Sequence, residues 1–197
     1  MPSATPVLPK TQDAVVGSED HEFCIVHDLP VIECEDDMVI IKTHAVALNP
    51  VDTKLHDEMV TPGVSFGFDC AGTIVAIGSK VHRELKIGDR VCGAACGMDP
   101  TRPSGGAFTE YAALGGDLLL KVPDNMSFEE ACTMGTALNS TAMVLFHSFG
   151  LPWSLVEKPS EKAFPVLVYG ASSAVGTMAT QILKMYELPT SELYTQK

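Results

Sequence analysis

The stretch "VLVYGASSAVGTMATQILK", residues 166–184, reads as a buried β-strand, a turn of small residues and a helix. Its strand, "PVLVYG" at 165–170, runs into "ASSAVG", where a dinucleotide fingerprint G-x-G-x-x-G would fall on Ala171, Ser173 and Gly176. Of those three positions only the last is glycine. Ser172 and Ser173 still offer hydroxyls, and the turn offers backbone N–H groups, to a phosphate at the helix N-terminus. An ordinary strand-turn-helix unit satisfies the same pattern. Only 13 residues follow Lys184, and "MYELPTSELYTQK" contains no run that reads as an apolar strand, so one strand and one helix are expected here.

Upstream the chain is strand-rich. "FCIVHDL" (23–29), "MVIIKTHAVAL" (38–48), "CAGTIVAIG" (70–78) and "RVCGAA" (90–95) are β-branched or apolar runs separated by acidic or glycine-bearing turns. "AFTEYAAL" (107–114) and "DLLLKVP" (117–123) add two extended segments, and the whole predicts a β-rich, barrel-like domain. At "NMSFEEACTM" the period changes to that of a helix, with Ser127 and Glu130 at capping-box spacing. A further helix is expected from about Asn139 to Phe149, with Gly135 and Thr136 interrupting the segment before it. The proline-bearing stretch 150–165 reads as a linker.

Composition excludes several functions. With 46% hydrophobic and 19% charged residues the 197-residue chain is globular, and a net charge of −12 opposes nucleic acid and anionic membranes as partners. No signal-peptide pattern opens the sequence and no window reaches membrane-spanning length, so a cytoplasmic location is expected. The six cysteines, Cys24, Cys34, Cys70, Cys92, Cys96 and Cys132, include no C-x-x-C pair. Cys92 and Cys96 are half a metal site without a second pair of ligands, and the reading is no metal.

Two further stretches carry candidate chemistry. In "ALNPVDTKLHDEM" (47–59) Asn49 is placed as an N-cap, Pro50 at the first helical position and Asp52 at N3, which predicts a helix start there. Such a start on a strand's end would aim N–H groups and the Lys54 ammonium at an anionic or carbonyl-bearing ligand. In "GTALNSTAMVLFHSF" (135–149), Asn139, Ser140 and Thr141 are caps or ligand contacts, and His147 has no partner at metal-ligand spacing. Asp69 is either a buried carboxylate near a site or a local backbone partner.

Taken in order, "LNPVDTK", "FGFDCAGTIVAIGSKV", "KIGDRV", "GGAFTEYAAL", "KVPDNMSFEEAC" and "VLVYGASSAVGTMATQILK" resemble the medium-chain dehydrogenase/reductase superfamily from about residue 12 to 185. The zinc ligands of its alcohol dehydrogenases are absent: "NPVDTK" stands at the first catalytic cysteine and Gly67-Phe68-Asp69 at Gly-His-Glu. This is similar to the zinc-free quinone-oxidoreductase and enoyl-reductase branch. "TPGVSFGFDCAG", the insertion at 150–165 and "VLVYGASSA" are similar, more narrowly, to the fungal trans-acting enoyl reductases of polyketide biosynthesis.

That resemblance implies an α/β (α+β) chain with a GroES-like β-rich catalytic domain over 1–150, a linker over 151–164, and the first strand-turn-helix of a Rossmann domain over 165–197. It implies NADPH-dependent reduction of the α,β-double bond of an enoyl thioester on the acyl carrier domain of a partner synthase. Val51, Asp52, Thr53 and Lys54 would lie next to the nicotinamide, with Lys54 as the catalytic cation. Thr141, Ala142, Met143, Val144, Leu145, Phe146 and His147 would lie along the acyl chain, and Ser172, Ser173, Ala174, Val175 and Gly176 under the pyrophosphate. It also implies a C-terminal truncation, with an inactive remnant, a partner-binding GroES-like module and a zinc-free quinone oxidoreductase as alternatives. An isolated truncated chain would bind NADPH poorly.

Overall fold

Strand-forming residues dominate the first part of the chain, and the computed structural model, which describes residues 7–55, 57–153 and 164–193, shows how they pair. Contacts divide the chain into two compact units, Met1–Gly135 and Thr136–Lys197. In the first, β1 (Thr11–Gly17) and β2 (Phe23–Pro30) form an antiparallel ribbon. Strands β3 (Met38–Ala47), β4 (Asp69–Ile77), β5 (Arg90–Ala94), β6 (Tyr111–Gly115) and β7 (Leu120–Lys121) form a five-stranded antiparallel sheet in the order β6-β3-β4-β5-β7. Single bridges Ala14↔Thr109 and Val16↔Ser65 tie the ribbon to loops of that unit.

The expected barrel-like domain is therefore an open sheet plus a ribbon among the described residues. The sheet closes over Val39, Ile41, Cys70, Ile74, Val91, Ala112, Leu114 and Leu119, all buried. These are the alternating apolar positions of the predicted strands, which is why the strand assignments hold. β1 is an addition: Gln12 is buried and its side-chain carbonyl accepts the Tyr111 N–H at 2.7 Å, so a polar residue occupies an interior strand position.

Helix α1 (Phe128–Ala131) starts at a complete capping box. The Glu130 N–H donates to Ser127 Oγ at 3.1 Å and the Ser127 N–H donates to the Glu130 carboxylate at 2.9 Å, as the sequence predicts.

Helix α2 (Gly135–Ala142) continues as a π-helical segment over Met143–Ser148. Gly135 and Thr136 thus begin a helix instead of interrupting one. The compact-unit boundary also falls earlier than residue 150, because Leu145 packs with Leu151, Val166, Leu183, Tyr186 and Leu188 in one buried cluster. Strand β8 (Val166–Tyr169) leads into α3 (Ala174–Met185), which is followed by β9 (Thr190–Leu193). β9 pairs in parallel with β8, matching Val166 to Thr190 and Tyr169 to Leu193. The expectation of a single strand is corrected to a β-α-β unit. The signal was weak because "TSEL" is polar, while Leu188, just before it, carries the burial. Most of the expected linker, 154–163, lies outside the described residues, and no described helix is long and apolar enough to cross a membrane.

Candidate functional site

Residues 49–55 are a turn and not the predicted helix. The Asp52 N–H donates to the Asn49 carbonyl at 2.9 Å, and the Lys54 and Leu55 N–H groups both donate to the Val51 carbonyl, at 3.0 and 3.1 Å. The expected helix start at Asn49, Pro50 and Asp52 is thus corrected to a turn. Asp52 does reach back, accepting the Asn49 N–H on Oδ2 at 2.6 Å. The Asn49 side chain, however, donates from Nδ2 to Asp69 Oδ2 at 2.7 Å instead of capping the turn. Asp69, at the start of β4, is fully buried, and its carboxylate lies beside the 49–55 turn.

The turn presents Thr53 and Lys54 to solvent and keeps Asp52 buried. Lys54 forms no ion pair with another described residue. Burial pushes the Asp52 carboxyl above the ordinary range, against the Asn49 N–H, with the Asp69 charge adding to the rise. A groove of about 810 Å³ opens beside this turn, lined by Phe23, Ile25, Val46, Leu48, Asp52 and Thr53 among others. Sequence reading missed this groove because it gathers residues from β1, β2, β3 and the 106–110 segment, whose pairing no local pattern encodes.

In the second unit the strand-turn-helix matches expectation closely. Ser173 is the N-cap of α3, its Oγ accepting the Gly176 N–H at 3.1 Å. Ser172, Ser173, Ala174 and Val175 are exposed and Gly176 is buried. A Cβ on Gly176 would lie 2.8 Å from Ala171 Cα and closer still to the Gly170 carbonyl oxygen, so the retained fingerprint glycine has a steric reason.

The helical set Thr141 to His147 divides by burial. Thr141 is fully buried, and its hydroxyl donates to the Ala137 carbonyl at 2.8 Å and lies 3.2 Å from that of Val175. Leu145 belongs to the unit's core and Phe146 stacks on Trp153 with centroids 4.6 Å apart. Met143, Val144 and His147 face solvent and Ala142 is half-buried. Thr141 and Leu145 thus act within their own unit, leaving the exposed members as the candidates for contact with a ligand.

Among the described residues no group of three or more His, Cys, Asp or Glu is arranged to hold a metal ion. All six cysteines are free, with Cys70, Cys92 and Cys132 buried. Burial is the main cause that raises the thiols of Cys70 and Cys132 and pushes Cys92 up to about 11.

Residues 35–124 match the alcohol dehydrogenase GroES-like domain family. The chain is 56% identical over 179 residues to the trans-enoyl reductase buaC of Petromyces alliaceus, covering 91% of this chain and 50% of that protein. The chain is a homologue of the trans-enoyl reductases. It is also 47% identical over 191 residues to the trans-enoyl reductase caaB of Aspergillus niger, covering 94% of this chain and 52% of that protein. The chain spans about half the length of the curated relatives it matches. A mycobacterial protein solved as a complex with NADPH shares the fold, with a TM-score of 0.67, 23% identity, and coverage of 95% of this chain and 53% of that one.

Proposed function

We propose that this trans-enoyl reductase homologue works in the NADPH-dependent reduction of the α,β-double bond of an enoyl thioester carried by the acyl carrier domain of a partner polyketide synthase. The 56% identity to a trans-enoyl reductase over 91% of the chain carries the reading. The geometry of both units is consistent with it.

The turn at 170–176 fits a dinucleotide. Its backbone is packed too tightly at Gly176 for any Cβ, and the exposed Ser172 to Val175 stand at the N-terminus of a twelve-residue helix, where N–H groups favour a pyrophosphate. Val51 to Lys54 would hold the nicotinamide end. When bound, NADPH supplies a hydride to the β-carbon of the thioester. Negative charge then builds on the thioester oxygen, and the Lys54 ammonium stabilises it as an oxyanion-hole donor does. Asp52, buried and bonded to the Asn49 N–H, shapes the turn that presents Lys54. Met143, Val144 and His147 are assigned to the acyl chain, and the α-carbon proton to water.

The test joins this chain to the remaining half of the Petromyces alliaceus relative and follows NADPH absorbance with an enoyl pantetheine thioester and with a quinone. Consumption with the thioester is expected. Turnover with the quinone alone would replace enoyl reduction by quinone reduction.

A further inference from the structure

In the second unit the parallel pair β8-β9 is covered on one face only among the described residues. Val166 and Val168 point to the side where Leu145, Leu183, Tyr186 and Leu188 pack. Strand alternation sends Leu167 and Tyr169 the other way, and the register with β9 sets Ser191 and Leu193 beside them. All four are exposed, Leu167 at 61% and Tyr169 at 75%. This face of the two strands carries no charged residue: Glu192 pairs with Val168 on the covered side, where its carboxylate lies 2.7 Å from the Lys184 ammonium. At the start of β8 a hollow of about 330 Å³ is lined by Phe149, Phe164, Pro165, Val166 and Leu167.

We propose that this face packs against the same face of a second copy of the chain across a two-fold axis. Parallel strands occur almost only where both faces of the sheet are covered, so the bare apolar face of β8-β9 calls for an occupant. Its shape suits a second copy, because it carries both a projection and a hollow. With the axis level with Val168, Tyr169 of each copy stands over Leu167 and the hollow of the other, the self-complementarity that a two-fold contact requires. Charge favours the same place. Two chains of net charge −12 repel each other, and an uncharged face is where they approach at least cost. The exposed parts of Phe149, Phe164, Leu167, Tyr169 and Leu193 amount to roughly 500 Å² of apolar surface per copy, so the pair buries about 1,000 Å², the lower limit for a specific interface. The dimer is therefore weak and concentration-dependent.

The inference is independent of enoyl reduction and needs neither cofactor nor substrate. Sedimentation velocity of the 197-residue chain, followed from about 1 to about 300 µM, tests it. The mass should rise from 21.0 kDa toward twice that value and stop there, because a two-fold contact closes on itself. Leu167→Lys and Tyr169→Lys should each move the midpoint at least about tenfold higher in concentration, whereas Met185→Lys, at an exposed position of α3, should leave it in place. Methyl NMR of the unsubstituted chain keeps the test decisive should a lysine variant fail to fold: the Leu167 and Leu193 signals should shift with concentration, and those of Ile25 and Leu48 in the first unit should not. A chain that stays at 21.0 kDa throughout would overturn the proposal and leave the face to a different chain. Growth past the dimer, a midpoint unmoved by both lysine variants, or methyl shifts confined to Ile25 and Leu48 would overturn it as well.

Discussion

Replacing Gly176 by alanine tests whether the strand-turn-helix is packed as tightly as its geometry implies. The added Cβ would meet Ala171 Cα at 2.8 Å and Gly170 C at 3.0 Å, with the Gly170 carbonyl oxygen nearer than either. All three obstacles are backbone-bound atoms, so no rotamer change makes room and the 170–176 turn must open. Overpacking of this kind costs about 1–3 kcal/mol, and a backbone obstacle places it near about 3. For a chain of this length that corresponds to a fall in Tm of roughly 6–12 °C. Thermal unfolding followed by circular dichroism reads it directly. Gly93→Ala is the control, because its Cβ would meet nothing closer than 3.5 Å. Equal midpoints for Gly176→Ala and the unsubstituted chain would refute the steric reading of this turn. The same opening would displace the N–H groups assigned to the pyrophosphate, so NADPH affinity in the joined enzyme should fall with stability.

Ser127→Ala removes one half of the capping box on α1 and should cost about 1 kcal/mol in denaturant unfolding, with Ser127→Asp retaining most of it. Thiol titration of the folded chain at pH 8 should label Cys24 and Cys96 rapidly, since both are exposed, while Cys92, raised to about 11, and the fully buried Cys70 react only after denaturation. Rapid labelling of Cys70 in the folded chain would contradict the packing of the five-stranded sheet.

Local pattern made most of the fold legible and stopped where distant residues decide. Runs such as "MVIIKTHAVAL" announce a strand because one face is apolar at period two, and β3 follows it closely. Ser127 and Glu130 fix the start of α1 because both partners of the cap lie within one turn. Asn49 shows the opposite case. Its neighbours satisfy every rule for a helix start, yet Asp69, twenty residues away, takes its side-chain amide and the segment stays a turn. β9 escapes notice because its parallel pairing to β8 needs few apolar side chains of its own. The split of Thr141 to His147 into buried and exposed members likewise depends on α3 and Trp153, which no window around 141–147 contains. Lys54, Ser173 and Gly176 were readable as candidates because each belongs to a short pattern with its own physical purpose.

Lys54 as the cation that stabilises the reacting thioester oxygen is tested most simply by the steady-state kinetics of Lys54→Ala in this chain joined to the remaining half of its Petromyces alliaceus relative, with an enoyl pantetheine thioester as substrate. If the ammonium acts on charge that develops in the transition state, kcat should fall by about 10²–10³ while the KM for NADPH changes little. An unchanged kcat with weakened NADPH binding would contradict that role and make Lys54 a contact for the cofactor's phosphate or ribose.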